Sequence, residues 1–249
     1  MTHSLATVGR FALFVAAVAH RLVRPPWSTS DTARFTWQLV TRCVLPVIAV
    51  IFPFGMVLAL QGLAIFDLFG AQRMLSSLIS VAVFRELSPV LASVLVAAQG
   101  GSSFAAELGA MRIREEIDAT SVMAVDPLRV HVVPRVVAAL VATPILHIAG
   151  SVSGILGGYV TAVVMRGENG SIFWHNLWEL TAPIDLTGGL IKTTVFGAII
   201  GLVATYNGFH ASGGAAGVGR AVNDTVVVAI TSFIVVNYFL TTALFGVLG

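Results

Sequence analysis

Arg85 and Glu86 stand side by side in Phe84-Arg85-Glu86-Leu87-Ser88-Pro89, inside a stretch that is otherwise apolar from about residue 75 to 104. Lys192 is set in the same way in Gly189-Leu190-Ile191-Lys192-Thr193-Thr194. A charged side chain at membrane depth costs at least about 2.5–3.5 kcal/mol on insertion scales, so it faces a cavity, finds a counter-charge or handles a polar ligand. Two chemistries stay open for Arg85 and Glu86. They form a mutually neutralised pair that locks helix packing, or they line a cavity where Arg85 meets an anionic headgroup. In the second case Lys192 contributes from the outer side, with Asp185 and Glu86 as counter-ions. Lys192 could also snorkel to the outer interface along its aliphatic stem.

A second set of charges is gathered in residues 107–127, where Glu107, Arg112, Arg114, Glu115, Glu116, Asp118 and Asp126 make the densest polar island of the chain. Residues four apart share a helix face, which predicts Arg112–Glu116 and Arg114–Asp118 pairs. Leu108 with Met111, and Ile113 with Ile117, leave apolar contacts for a partner or the bilayer edge. Pro127 is expected to end this helix, because the residue before a proline is pushed out of the α region. Such a helix between long apolar segments sits in water beside the membrane, as a solvated loop or as a docking element.

Other chemistries find no support. The single cysteine, Cys43, excludes an internal disulfide and a cysteine metal cluster. The six histidines show no ligand spacing, so neither a metal nor a cofactor is expected. No Ser/His/Asp set stands out for hydrolysis; Ser102, Ser103 and His147 read as packing or polar contacts. The run Gly213-Gly214-Ala215-Ala216-Gly217-Val218-Gly219-Arg220-Ala221 is as glycine-rich as a phosphate cradle, but no Gly-Lys-Ser/Thr follows it. Nothing has the character of a nucleic-acid surface, and no catalytic activity is expected of this chain.

The elements that position these residues follow from composition. Of 249 residues, 57% are hydrophobic and 10% charged, with mean hydropathy +0.92. A soluble domain carries about 25% charged residues, so the chain reads as an all-α polytopic membrane protein. Residues 8–24 have an apolar centre of only Phe11 to Ala19, too short for a ~30 Å hydrocarbon core, and flanking Arg10, Arg21 and Arg24. Although Ala17-Val18-Ala19 could imitate a signal-peptide end, a retained helix lying in the membrane interface is preferred. Pro25-Pro26 breaks the chain, and a polar helix over 31–42 follows.

Five spans are expected, at about 44–65, 75–104, 132–165, 187–207 and 225–246. Pro46 and Pro53 suggest bends in the first. Residues 166–185 read as a polar loop with interfacial Phe173, Trp174 and Trp178. Residues 208–223 read as a glycine-rich loop. The glycine triplet Gly150/Gly154/Gly158 and the pair Gly197/Gly201 read as close helix contacts, with a moving gate as the alternative. Placing the N-terminus inside makes Arg10, Arg21, Arg24, Arg34, Arg42, Arg112, Arg114, Arg129, Arg135 and Arg220 cytoplasmic, against Arg73 and Arg166 outside. That bias predicts a cytoplasmic N-terminus and an extracytoplasmic C-terminus.

The same residues carry a resemblance. Phe54–Gln61, Arg85–Leu91, Ala105–Arg112, Glu115–Ala119, Met123–Pro127, Val133–Arg135 and Gly213–Ala221 resemble, in order and over roughly residues 45–246, the MlaE/YrbE permeases of lipid-transporting ABC systems that work with MCE-domain proteins. Two sites depart from the pattern: Gln99-Gly100-Gly101-Ser102 lacks a charge that many relatives carry, and Asn237 stands where some have an aspartate. The alanine- and valine-rich composition also fits actinobacterial Mce-type permeases.

The resemblance implies an N-terminal interfacial segment over 1–43, two spans over 44–104 and a coupling helix within 105–127 that docks a cytoplasmic ABC ATPase. A third span over 128–165, an extracytoplasmic loop over 166–186 and two last spans over 187–249 complete a single permease domain. It implies a dimer with a second permease copy or paralogue, and a lipid cavity beneath MCE-domain substrate-binding proteins in the inner (plasma) membrane. Arg85, Glu86 and Lys192 become lipid-cavity candidates. Glu107, Arg112, Arg114, Glu115, Glu116 and Asp118 become ATPase-docking candidates, and Arg220 a structural loop residue. A secondary transporter or channel that needs no ATPase is the competing class; it predicts inverted repeats and coupling acids, and no repeat is obvious.

Overall fold

The computed structural model describes residues 2–23, 28–70 and 74–246, so Arg24, the Pro25-Pro26 break and Arg73 lie outside the described residues. Within them the chain is helical, with no strand. The helices are α1 (Thr2–Val23), α2 (Thr29–Phe69), α3 (Leu75–Ile113), α4 (Glu116–Val122), α5 (Leu128–Met165), α6 (Gly170–Leu180), α7 (Pro183–Phe209) and α8 (Gly214–Phe245). Five of these, α2, α3, α5, α7 and α8, are long and apolar enough to cross a membrane. At a rise of about 1.5 Å per residue, each reaches beyond a ~30 Å core. The fold is an all-α polytopic membrane protein.

The long helices are shared between two compact units. The first comprises residues 1–39, 96–142 and 196–233. In it, Phe14 and Val18, one turn apart on α1, are buried against Val132, Val133 and Val136 of α5. Phe196 stacks on Phe233 at 5.1 Å between centroids. The second unit comprises residues 40–95, 143–195 and 234–249. Its core joins Leu63, Leu75, Ile79, Val83, Ile155, Phe173 and Leu177. Here α2 and α5 approach so closely that a Cβ added at Gly55 would stand 2.0 Å from the Gly154 carbonyl oxygen. Gly150 and Gly158 pack on Ile51 and Ile79, in keeping with the small-residue spacing.

Several boundaries differ from the sequence reading. The expected polar helix over 31–42 and the first span are one 41-residue helix, continuous through Pro46 and Pro53. Membrane helices tolerate proline where neighbours re-satisfy the backbone. The expected loop over 166–185 contains α6, whose start is capped by Asn169 Oδ1 accepting from the Ser171 N–H at 2.9 Å. The glycine-rich segment is mostly the beginning of α8. Gly213 (φ 88°) and Gly214 (φ 67°) supply the left-handed turn, and a Cβ at Gly217 would meet the Ser212 carbonyl oxygen. Arg220 is therefore an exposed helical residue rather than part of a loop.

The polar island is not one helix. α3 runs on to Ile113, the chain turns at Arg114 and Glu115, and α4 starts at Glu116. Glu115 sits in the left-handed region at φ 60°, so the four-residue spacing is interrupted. The ion pairs are consequently Arg112–Asp118 at 2.5 Å and Arg114–Glu116 at 3.8 Å, not the i,i+4 pairs expected. Pro127 does not end this helix either. α4 stops at Val122, with Ala124 at φ 59°, and Pro127 leads into α5. Asp126 Oδ1 accepts the Leu128 N–H at 3.0 Å there. A proline at a helix start loses nothing, since its missing N–H has no partner in the first turn.

Candidate functional site

Arg85 and Glu86 sit on a widened turn of α3, Val83–Leu87, where the Ser88 N–H reaches back five residues to the Val83 carbonyl. The described helices hold three more such π segments, Val96–Gly101, Leu128–Val132 and Val160–Met165, so the widening matters here only for where it directs Arg85 and Glu86. The two residues do not pair with each other; each turns to a different residue of α7. Arg85 Nε donates to Asp185 Oδ1 at 2.5 Å. Asp185 Oδ2 accepts the Ala182 N–H at 2.9 Å, fixing the carboxylate at the start of α7. The positive end of that helix also favours an acid there.

Glu86 is held from two helices. Its Oε1 accepts from Lys192 Nζ at 2.8 Å and from Thr241 Oγ1 at 3.0 Å, and its Oε2 from Asn237 Nδ2 at 3.0 Å. Lys192 donates further to the Arg85 carbonyl at 2.8 Å and to Thr241 Oγ1 at 2.7 Å. An ammonium has three protons, and all three are used. Lys192 is 0% exposed, so it does not snorkel to the interface but bolts α7 to α3 and α8. Asn237, Thr241 and Phe245 recur every four residues on α8 and so share one face. Phe245 closes the cluster, with the Arg85 guanidinium 4.3 Å and the Lys192 ammonium 5.5 Å from its ring centre.

Two positive and two negative charges thus cancel, in low-dielectric surroundings where an unpaired ion is costly. Exposure divides the four: Lys192 and Asp185 are 0% and 1% exposed, but 31% of the Arg85 side chain and 41% of Glu86 remain open. One layer is structural and the other presents a cation and an anion together.

A buried polar group lies beside the widened turn. The Ser88 hydroxyl donates to the His147 carbonyl at 2.7 Å, and His147 Nδ1 lies 3.0 Å from the same hydroxyl oxygen. The Ser151 hydroxyl lies 3.4 Å from the same nitrogen, so Nδ1 stands between two hydroxyls. Gly189 makes the room: a Cβ there would fall 2.6 Å from His147 Nε2 and 2.5 Å from the Phe84 carbonyl oxygen.

The docking candidates divide as well. Arg114, Glu115, Glu116 and Asp118 are exposed around the α3–α4 turn, with Arg112 half-buried beside them. Val122 and Met123 follow, 87% and 69% exposed. Glu107 is set apart, accepting from Ser103 at 3.1 Å and from the buried Arg135 at 3.2 Å. Arg135 in turn lies 4.3 Å over the Phe35 ring, a contact not foreseen in the sequence. Thr241 and Phe245 were also missed; their only signal is the four-residue spacing from Asn237. Among the described residues no group of three or more His, Cys, Asp or Glu could hold a metal.

Five membrane-length helices, three of which share an ion-paired polar cluster, define a polytopic membrane protein. The sequence profile described as "Permease MlaE" matches residues 32–243, and the chain belongs to that family. It is 36% identical to a "Probable ABC transporter permease protein" of Rickettsia felis over 97% of this chain and 93% of the relative. It is 33% identical to the "Intermembrane phospholipid transport system permease protein MlaE" of Haemophilus influenzae, over 77% of this chain and 74% of that one. A third relative, "Protein TRIGALACTOSYLDIACYLGLYCEROL 1, chloroplastic" of Arabidopsis thaliana, is 32% identical over 77% of this chain and 55% of its own length.

Proposed function

We propose that this chain is the membrane-embedded subunit of an ATP-driven phospholipid transporter, working beside a second permease and below MCE-domain proteins. ATP hydrolysis falls to a separate cytoplasmic ATPase that docks at the α3–α4 turn. The relatives' names, ABC transporter permease and phospholipid transport permease, support the class. The N-terminus and the exposed turn lie on the cytoplasmic side in this reading, with α1 in the interface. The eight described arginines of the first unit (Arg10, Arg21, Arg34, Arg112, Arg114, Arg129, Arg135 and Arg220) support that orientation.

The observation that carries the mechanism is the division of the charge cluster. Lys192 spends all its donors inside the protein, so it sets the position of Glu86 and does not bind the lipid itself. Arg85 is anchored through Nε while its side chain remains 31% open, so it is the residue that meets an anionic headgroup. A phosphate there competes with Asp185 for the guanidinium, and Phe245 limits how far Arg85 can swing. The test is lipid co-purified per assembled complex, and lipid transfer in reconstituted vesicles, for Arg85→Ala. Normal assembly with reduced lipid and transport is expected. Unchanged bound lipid and transport in a stable Arg85→Ala complex would sink the headgroup role.

A further inference from the structure

The charge cluster, which lies wholly within the second unit, leaves hydrogen-bonding capacity of both signs unused. Arg85 commits only Nε, to Asp185, and its two terminal amino groups find no acceptor among the described residues. Those groups are the part of a guanidinium that grips phosphate oxygens side by side. Glu86 is the converse. Its Oε1 accepts twice, from Lys192 and Thr241, whereas Oε2 accepts only from Asn237. A carboxylate oxygen has room for two hydrogen bonds, so Oε2 keeps an acceptor position, in a side chain that is 41% open.

The two open groups belong to one small assembly. Arg85 and Glu86 are consecutive on the widened turn, and their partners Asp185 and Lys192 are about two turns apart on one face of α7. The Phe245 ring centre lies 4.3 Å from the guanidinium and 5.5 Å from the Lys192 ammonium that holds Glu86.

Charge balance then selects the ligand. The cluster is neutral, so a headgroup carrying a phosphate alone brings an uncompensated negative charge and offers Oε2 no donor. A headgroup with a phosphate and an ammonium adds no net charge and engages both open groups. The kind of ammonium matters as well. A quaternary ammonium has no N–H to donate and is held by aromatic faces instead, but Phe245 already faces Arg85 and Lys192.

We propose that this open layer selects a zwitterionic phospholipid whose phosphate is joined to an ammonium bearing N–H groups, as in phosphatidylethanolamine. The phosphate sits on the terminal amino groups of Arg85 and the ammonium on Glu86 Oε2. The assignment rests on Arg85 as the headgroup residue, and it makes Glu86 the residue that sets specificity. Lys192 and Thr241, by holding Oε1, leave Oε2 as the free acceptor.

The test equilibrates the purified assembly, stripped of lipid by detergent exchange, with vesicles of mixed headgroups and identical acyl chains. These are phosphatidylethanolamine, its N,N-dimethyl derivative, phosphatidylcholine and phosphatidylglycerol in equal shares, with the retained lipid counted by mass spectrometry. Wild type should hold the first two in similar amounts, each about tenfold above the other two, the worth of one hydrogen bond to a charged group. The step must fall at the last methylation, where the final N–H is lost. A gradual decline along the series is a size effect and overturns the proposal. Glu86→Gln keeps an oxygen for Lys192 but removes the charge, so the preference for ethanolamine over choline should vanish and the share of phosphatidylglycerol should rise. If that variant assembles poorly, the wild-type series decides alone. Arg85→Ala should deplete every headgroup alike, and unchanged retention there overturns the headgroup reading itself. Depletion in Arg85→Ala, alongside a wild type that holds all headgroups equally or a preference that survives Glu86→Gln, overturns the selectivity alone.

Discussion

Lys192 and Glu86 meet at 2.8 Å with unequal surroundings: the ammonium is fully enclosed, while 41% of the carboxylate side chain is open. Removing either partner therefore does different damage. Glu86→Ala leaves an enclosed cation without its counter-ion, which costs about 3–5 kcal/mol in buried pairs. Lys192→Met leaves a half-open carboxylate that still accepts from Asn237 and Thr241, and costs less. Thermal unfolding of the purified protein should rank Glu86→Ala well below Lys192→Met, with the double variant above Glu86→Ala alone. The opposite order would mean that the pair is not what holds α7 to α3.

Close backbone contact makes a second expectation. A Cβ at Gly55 would press on the Gly154 carbonyl at 2.0 Å, and one at Gly157 on the Phe52 carbonyl at 2.1 Å. Backbone cannot rotate away as a side chain can, so Gly55→Ala or Gly157→Ala should cost about 1–3 kcal/mol or more. Gly219→Ala has open space and lies within α8. It should be neutral or stabilising by up to about 1 kcal/mol, since alanine favours helix over glycine. A Gly55→Ala protein that melts with the wild type would show that α2 and α5 are not in contact at this register.

Much of this was legible in the sequence, for a physical reason. Apolar runs longer than the hydrocarbon core have few alternatives to a spanning helix, so five spans and the family followed from composition and motif order. The charged residues at depth were equally plain, because each is costly enough to stand out. Their partners were not, since Arg85 and Asp185 are 100 residues apart and Glu86 and Asn237 are 151 apart. Adjacency of Arg85 and Glu86 suggested a mutual pair, and the widened turn instead sends them to separate partners. The break at Glu115 was hidden because a left-handed glutamate has no sequence signature. The start of α8 was missed because glycines there signal a loop, whereas only the first two serve the turn.

Orientation is open to a direct chemical check. Ser171 and Ser212 are both exposed, on α6 and in the turn before α8, and Cys43 is buried and replaceable by serine. In a Cys43→Ser background, Ser171→Cys should react with an impermeant thiol reagent added to intact cells. Ser212→Cys should react only after permeabilisation. The reverse pattern would invert the reading drawn from the arginines.

The α3–α4 turn should be the surface that the ATPase grips. Its charges are exposed and its ion pairs, Arg112–Asp118 and Arg114–Glu116, are surface pairs that contribute little to folding. Val122 and Met123, 87% and 69% exposed, put apolar surface beside them of the kind a protein contact would bury. Glu115→Arg with Glu116→Arg keeps the backbone demand at position 115 unchanged, since neither residue type favours the left-handed region over the other. Insertion and melting should therefore stay near wild type. Like charges set against a complementary partner cost several kcal/mol at an interface. Pull-down of the cognate ATPase should fall to background in the double variant, while Glu107→Gln, whose carboxylate is occupied by Arg135, should lose stability more than association. Wild-type recovery of the ATPase with the double variant would place the docking surface elsewhere on the chain.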